Sequence, residues 1–264
     1  MGTCESCKGA IFNFRYSENQ MKLLYQNYRD RNYKDLRFKW EKWYGDKFND
    51  GHLSENYISE RKKELDKFLI PNLPDNFKSV VDIGGGRGEL IPELITSGTS
   101  STQRYVIDIS NVSAINNVTK IKSLNEVGKV DLIIYSHTIE HVVDPLFVLK
   151  NMLQYTDNIY IETPNGVPRA SFVSKSILIN IIFAAMSFSP RIWRNLFSTS
   201  VGLKHRHNVL RQSEHINFFQ VETLNKLAEL CDCDSIVQLN FMNNPLGEKH
   251  EVIQAIFRKR PNST

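Results

Sequence analysis

The run Val80-Val81-Asp82-Ile83-Gly84-Gly85-Gly86-Arg87-Gly88 constrains this chain more than any other stretch. Two β-branched residues lead into an acid, and glycines follow at alternate positions. This pattern predicts a buried strand that ends in a turn where the backbone must come close to a ligand, since a side chain there would obstruct the approach. Glu89 to Ile95 then reads as the start of a helix whose first N–H groups face the same turn. A Walker A loop is excluded, because no Lys-Ser or Lys-Thr follows the glycines. A dinucleotide fingerprint also fails: counted from Gly84 its last glycine falls on Glu89, and counted from Gly86 it falls on Ile91. The spacing that does fit is acid-x-Gly-x-Gly-x-Gly.

A second strand, Arg104 to Ile109, carries Asp108 twenty residues after Gly88. That separation suits a carboxylate gripping a ribose diol, since one carboxylate can accept from both hydroxyls. Further strands are expected near 119–123, 130–135, 158–162, 235–241 and 252–258. Strands alternating with helical stretches predict an α/β fold with a doubly wound, mostly parallel sheet. In such sheets ligands sit at the carboxyl ends of strands. Asp82, the glycines, Asp108, Glu140-His141 and Glu162-Thr163 all fall at expected strand ends.

Five segments in this order resemble the class I S-adenosylmethionine (SAM)-dependent methyltransferases, and within them the small-molecule and sugar methyltransferases. They are the glycine turn; the strand ending in Asp108; Thr138-Ile139-Glu140-His141-Val142-Val143-Asp144-Pro145; Ile159-Tyr160-Ile161-Glu162-Thr163-Pro164-Asn165; and Glu214-His215-Ile216-Asn217-Phe218-Phe219. The resemblance covers roughly residues 78 to 258. It implies a seven-stranded Rossmann-like sheet whose last strand inserts antiparallel, an insertion after strand five, and SAM as cofactor. It also implies that Gly84, Gly85, Gly86 and Gly88 admit the methionine and ribose, that Asp82 acts through the turn near the amino group, and that Asp108 and Ile109 meet the ribose. Ser123 and Leu124 would approach the adenine edge, and His137 completes the expected cofactor-binding set. For transfer to a hydroxyl, a proton must leave, and histidine suits that work. His141 and His215 are the candidate bases. Glu214-His215 is similar to a catalytic Glu-His pair in sugar C-methyltransferases, although the fuller motif around that pair is missing here.

His137-x-x-Glu140-His141 also matches H-x-x-E-H, a zinc-protease pattern. That reading needs both histidines on one helical face, whereas this segment follows a strand and stops at Asp144-Pro145, so no active-site metal is expected.

Residues 1–75 read as an N-terminal helical cap, with helices near 17–30 and 54–69, Ser54 as an N-cap, and Pro71 and Pro74 ending the second. Tyr25, Tyr28, Tyr33, Trp40, Trp43 and Tyr44 make it aromatic, which suits either acceptor stacking or packing on the core or on a second subunit of a homodimer. Residues 76–260 form the methyltransferase domain. Its 163–213 insertion holds no Asp or Glu in 51 residues but seven Lys and Arg. A basic lid of this kind suits an anionic saccharide or nucleotide-sugar acceptor, because Arg forks pair with phosphate. Peripheral membrane contact is its other functional reading. The apolar run Ile177–Met186 is too short to span a bilayer.

The 264 residues are 41% hydrophobic, enough for an ordinary core, and a net charge of +4 is too mild to argue nucleic-acid binding. Cys4, Cys7, Cys231 and Cys233 are expected as reduced thiols in a cytoplasmic protein, since no apolar leader opens the chain. Cys4-x-x-Cys7 is half of a zinc ribbon without its second pair. The reading favoured by all this is O-methylation of a sugar or surface-polysaccharide precursor. A C- or N-centred, lipid or quinone-like acceptor is the alternative, and a non-catalytic SAM-binding module the remote one.

Overall fold

The computed structural model describes residues 2–11, 16–26, 28, 30–40, 50–52, 54–73, 77–92, 102–166, 215–244, 247 and 249–261. Elements are numbered among these. A seven-stranded sheet forms the centre, built from β3 (Ser79–Ile83), β4 (Gln103–Ile107), β5 (Thr119–Lys120), β6 (Leu132–Ser136), β7 (Asn158–Pro164), β9 (Cys233–Asn243) and β10 (Lys249–Lys259). The order across it is β5-β4-β3-β6-β7-β10-β9. All neighbours from β5 to β7 pair in parallel, while β10 runs antiparallel to both β7 and β9. The inserted antiparallel strand is therefore present. Asp82 on β3 stands opposite Val106 on β4 and Ile134 on β6, at the carboxyl ends of the central strands.

The central strands are uninterrupted hydrophobic runs because both faces of the sheet are covered. On one face Val81, Ile133, Tyr135, Ile159 and Ile161 pack with Leu149 and Met152 of α4 (Pro145–Met152) and Leu224 and Ala228 of α5 (Val221–Leu230). On the other, Val80, Leu132, Ile134, Tyr160 and Ile256 pack with Leu65, Phe68 and Leu69 of α3 (Glu55–Leu69). The buried positions of α3 are 61, 65, 68 and 69, an apolar helical stripe that includes one arginine. Ser54 caps it by accepting from the Tyr57 N–H at 3.4 Å. Asp144 likewise accepts from the Phe147 N–H at 3.0 Å, and Pro145 opens α4, so Asp-Pro here starts a helix.

Several expectations change. Residues 86–90 form successive turns closed by Gly88 N–H to Gly85 O at 2.9 Å and Ile91 N–H to Gly88 O at 3.3 Å, so no helix begins at Glu89. Pro92 disfavours helical backbone at Ile91. The remainder of that predicted helix, 93–95, lies outside the described residues. The helix expected over 17–30 is α1 (Glu18–Gln26); α2 (Arg31–Trp40) follows separately because the Asp30 carboxylate captures the Tyr33 N–H at 2.7 Å. A small sheet, β1 (Gly2–Thr3), β2 (Ala10–Ile11) and β8 (Asn217–Phe218), was not anticipated. Among the described residues no helix is long and apolar enough to cross a membrane.

Candidate active site

The glycine turn folds tightly against its surroundings. Gly84 has φ +77°, and its N–H donates to Ile107 O at 2.7 Å. A Cβ on Gly84 would lie 2.5 Å from Thr138 Oγ1, so the turn after β3 touches the turn after β6. At Gly85 a Cβ would lie 2.1 Å from an oxygen of the Asp82 carboxylate. Gly86 differs, since a Cβ there would meet nothing within 4 Å, and that side of the turn is open. The Gly86 N–H donates to Asp108 Oδ2 at 2.7 Å, while Asp108 Oδ1 accepts from the Ser110 N–H at 2.8 Å and from its hydroxyl. The expected ribose acid and the glycine turn are thus joined by a hydrogen bond.

Asp82 is 1% exposed, and its Oδ2 has no hydrogen-bond partner. Burial, reinforced by Asp108, pushes its carboxyl up to about 7 against the opposing pull of Arg61. A buried, unpartnered carboxylate oxygen beside an open glycine turn fits an ammonium group, which is what the amino-acid end of SAM presents. Ile109 follows Asp108 and is 43% exposed. Ser123 and Leu124 sit in the turn after β5: the Ser123 N–H donates to Glu126 Oε1 at 3.2 Å, and Leu124 packs on the core.

Beside the turn lies a polar network whose register the sheet sets. Ser136, Glu162 and Gln254 are cross-strand neighbours on β6, β7 and β10. Glu162 is fully buried and paired with Arg61 from α3. Ser136 Oγ donates to Glu162 Oε1 at 3.0 Å and Tyr160 OH donates to Oε2 at 2.8 Å. Arg61 also donates to Ser136 Oγ at 3.0 Å and Tyr57 OH at 3.2 Å. Burial alone would lower the Arg61 guanidinium and raise the Glu162 carboxyl, but their mutual attraction reverses both directions.

His137 bridges to the next cluster from a backbone at φ +48°. Its Nε2 lies 3.2 Å from Glu162 Oε1, an ion pair without hydrogen-bond alignment, and its Nδ1 lies 3.4 Å from Glu140 Oε1. Burial works against protonation, but the two carboxylates prevail and raise the imidazole. Glu140 is itself 1% exposed. Burial would raise its carboxyl; His137, His141 and His215 together hold it down at about 2. Thr163 Oγ1 donates to Glu140 Oε2 at 3.1 Å. Tyr25 OH is hydrogen-bonded to His141 Nδ1 at 2.7 Å, and the His141 and His215 rings meet edge to face at 4.6 Å. The two histidines named from sequence are therefore neighbours, although 74 positions separate them.

Glu140, His215, Thr163, Asn165 and Gly166 line a small pocket at this point. Of the insertion 163–213 the structure describes residues up to Gly166, and His215 is the first described residue after it. Glu214 and the basic residues of the insertion lie outside the described residues, as do Trp43 and Tyr44. Tyr25, Tyr28 and Tyr33 form a chain of ring contacts that ends on His141. Arg61 was missed from sequence; its signal was an arginine at an apolar-stripe position of α3. The partnership of Tyr25 with His141 had no sequence signal.

A doubly wound sheet with a glycine turn, a facing strand-end acid and an ionisable cluster at the same edge defines a nucleotide-type cofactor enzyme. The chain matches a family described as "Methyltransferase domain" over residues 57–238, and it belongs to that family. It is a class I SAM-dependent methyltransferase, with SAM as methyl donor. No curated protein matches it. Among solved structures it is similar to 1,6-didemethyltoxoflavin-N1-methyltransferase from Burkholderia thailandensis, solved with 1,6-didemethyltoxoflavin and S-adenosylhomocysteine. The two share 11% identity and a TM-score of 0.51, over 96% of this chain and 95% of that one. It is also similar to magnesium protoporphyrin IX methyltransferase from Synechocystis PCC 6803, at 14% identity and a TM-score of 0.46, over 90% of this chain and 99% of that one.

Proposed function

We propose that the enzyme O-methylates a small saccharide, an anionic sugar or nucleotide sugar of a surface-polysaccharide route. The observation that carries this reading is the pocket bounded by Glu140 and His215, where the chain leaves for the acid-free insertion and returns from it. Bound SAM supplies an activated methyl group on a sulfonium. The chain's own residues do the rest. Gly86 leaves one side of the turn open to the cofactor, while Gly84, Gly85 and Gly88 let the turn fold against Thr138, Asp82 and Val118; Asp82 takes the cofactor's ammonium, and Asp108 with Ile109 takes the ribose. His215 on the pocket wall, with His141 oriented by Tyr25, accepts the acceptor hydroxyl's proton. The basic insertion 163–213 and the aromatic cap within 1–75 select the acceptor, with Arg and Lys meeting its phosphate or carboxylate.

Methyl-labelled SAM incubated with a panel of nucleotide sugars and uncharged sugars tests this. Label is expected in an ether of an anionic sugar, and His215→Ala is expected to lower kcat roughly 100- to 10,000-fold with SAM binding intact. Label found only on carbon, nitrogen or lipid acceptors would refute the saccharide reading.

A further inference from the structure

We propose that Glu140, His141 and His215 form a binding site for one divalent transition-metal ion. Their ligand atoms all lie within 4.8 Å of one another. Ligands about 2.0–2.2 Å from one ion sit roughly 3–3.5 Å apart, so small side-chain adjustments complete the geometry.

Three further observations point to an ion. Glu140 Oε1 is buried and makes no aligned hydrogen bond, with His137 Nδ1 at 3.4 Å and His141 Nε2 at 3.9 Å, while Oε2 is held by Thr163 at 3.1 Å. His141 offers one nitrogen to Tyr25 OH at 2.7 Å and turns the other, Nε2, toward Glu140 Oε1 at 3.9 Å. A second partner of this kind on the far ring nitrogen is how proteins usually orient a ligating histidine. The remote ligand is also pinned in place: the Ile216 N–H donates to Glu140 O at 3.0 Å, and Asn217 Nδ2 donates to Val142 O at 2.6 Å. His215 is thereby tied by its neighbours to the turn that carries the other two ligands.

The site differs from the protease pattern that H-x-x-E-H invites. Ile139–His141 is a 3-10 turn and His137 has φ +48°, so His137 and His141 do not share an α-helical face. His137 instead pairs with Glu140 and Glu162. Two imidazoles and one carboxylate suit Mn²⁺, Fe²⁺, Co²⁺, Ni²⁺ or Zn²⁺ rather than an all-oxygen ion. Three protein ligands leave coordination positions open on the side of the pocket lined by Thr163, Asn165 and Gly166. There the ion would take the acceptor's hydroxyl oxygen and make its proton easier to lose. The inference rests on the O-methylation reading above and changes one part of it. His141 and His215 become ligands, and the proton leaves an ion-bound hydroxyl for solvent.

The test is metal binding to the chelator-treated full chain without any acceptor, in a Cys4→Ser/Cys7→Ser background that removes the competing thiols. Calorimetric titration with Zn²⁺ and visible absorption with Co²⁺ are expected to give one ion per chain. Tyr25→Phe is expected to weaken binding about tenfold, and Glu140→Gln, His141→Gln or His215→Ala to weaken it further. SAM binding by each variant certifies its fold; if the buried Glu140→Gln fails that check, the pocket-wall variant His215→Ala decides. No stoichiometric ion in the parent, or equal affinity in parent and His215→Ala, overturns the site. An ion bound as described with no label on any sugar would sink the saccharide reading alone. Sugar methylation that is unchanged after chelation would overturn the ion's part and leave the histidines as proton acceptors.

Discussion

At the scale of a single residue, the proposed partner of the cofactor's ammonium is Asp82. Its carboxyl is raised from an ordinary 3.8 to about 7, by burial first, then Asp108, with Glu162 adding to the rise and Arg61 opposing it. The sign of the consequence follows from which form the fold prefers. A buried carboxyl with a raised pKa favours the protonated state, so the contribution of Asp82 to the stability of the ligand-free protein is full below about pH 4. That contribution, on the order of 4 kcal/mol, is lost as pH rises from there through about 7. An ammonium placed against Asp82 Oδ2 reverses the preference, because it pairs with the ionised form. SAM binding is therefore expected to release a proton and to weaken by up to about tenfold per pH unit below pH 7. Isothermal titration between pH 5.5 and 8 in buffers of different ionisation enthalpy, a range set by the value of about 7, measures both. Asp82→Asn is expected to flatten the profile. An equally steep profile in that variant would show that Asp82 does not meet the ammonium.

Between elements, the contact that fixes α3 on the sheet is ionic. Arg61 reaches from a stripe otherwise made of Leu65, Phe68 and Leu69 to Glu162, the fully buried middle member of the row Ser136, Glu162, Gln254. Removing one partner leaves the other charge buried, so Arg61→Met is expected to cost about 3–5 kcal/mol. Removing both charges in Arg61→Met/Glu162→Gln is expected to cost less than the sum, since no charge is left buried and the Gln oxygen can still accept from one of the two hydroxyls, Ser136 or Tyr160, that donate to Glu162. Urea denaturation of the four proteins in this cycle measures it, and an Arg61→Met variant within about 1 kcal/mol of the parent would disprove the coupling. The same scale shows what the sequence could convey. The β3, β6 and β7 runs were legible because strands covered on both faces must be apolar throughout. The sheet β1-β2-β8 was not, since two-residue strands carry no periodicity. Arg61 escaped because a lone cation in an apolar stripe has no meaning until its partner, 101 residues away, is in place. The helix at Glu89 failed for a local reason, a run of glycine turns ending at Pro92.

For the molecule as a whole, the proposed reading puts cofactor and acceptor recognition on different parts of the chain. The glycine turn after Asp82 and its juxtaposition with Asp108 were readable because they are local in sequence. The meeting of His141 with His215 was not, because it depends on where the chain returns after the insertion. Return is fixed by Gly166 N–H donating to Phe219 O at 3.2 Å and by the parallel bridge of Asn165 with Phe219. The segment between Gly166 and His215 can therefore be shortened without moving either end, since six extended residues reach about 20 Å. Replacing residues 167–214 by a six-residue Gly/Ser linker is expected to leave SAM affinity unchanged, because Asp82, the glycines and Asp108 lie outside it. Turnover with an anionic acceptor is expected to fall by about 100-fold or more, since the acceptor loses both its basic contacts and its alignment. Titration with SAM and a labelled-methyl assay on the same preparation separate the two effects. Unchanged turnover would place acceptor recognition in the aromatic N-terminal region instead, where Tyr28 and Tyr33 lead by ring contacts to Tyr25 and His141.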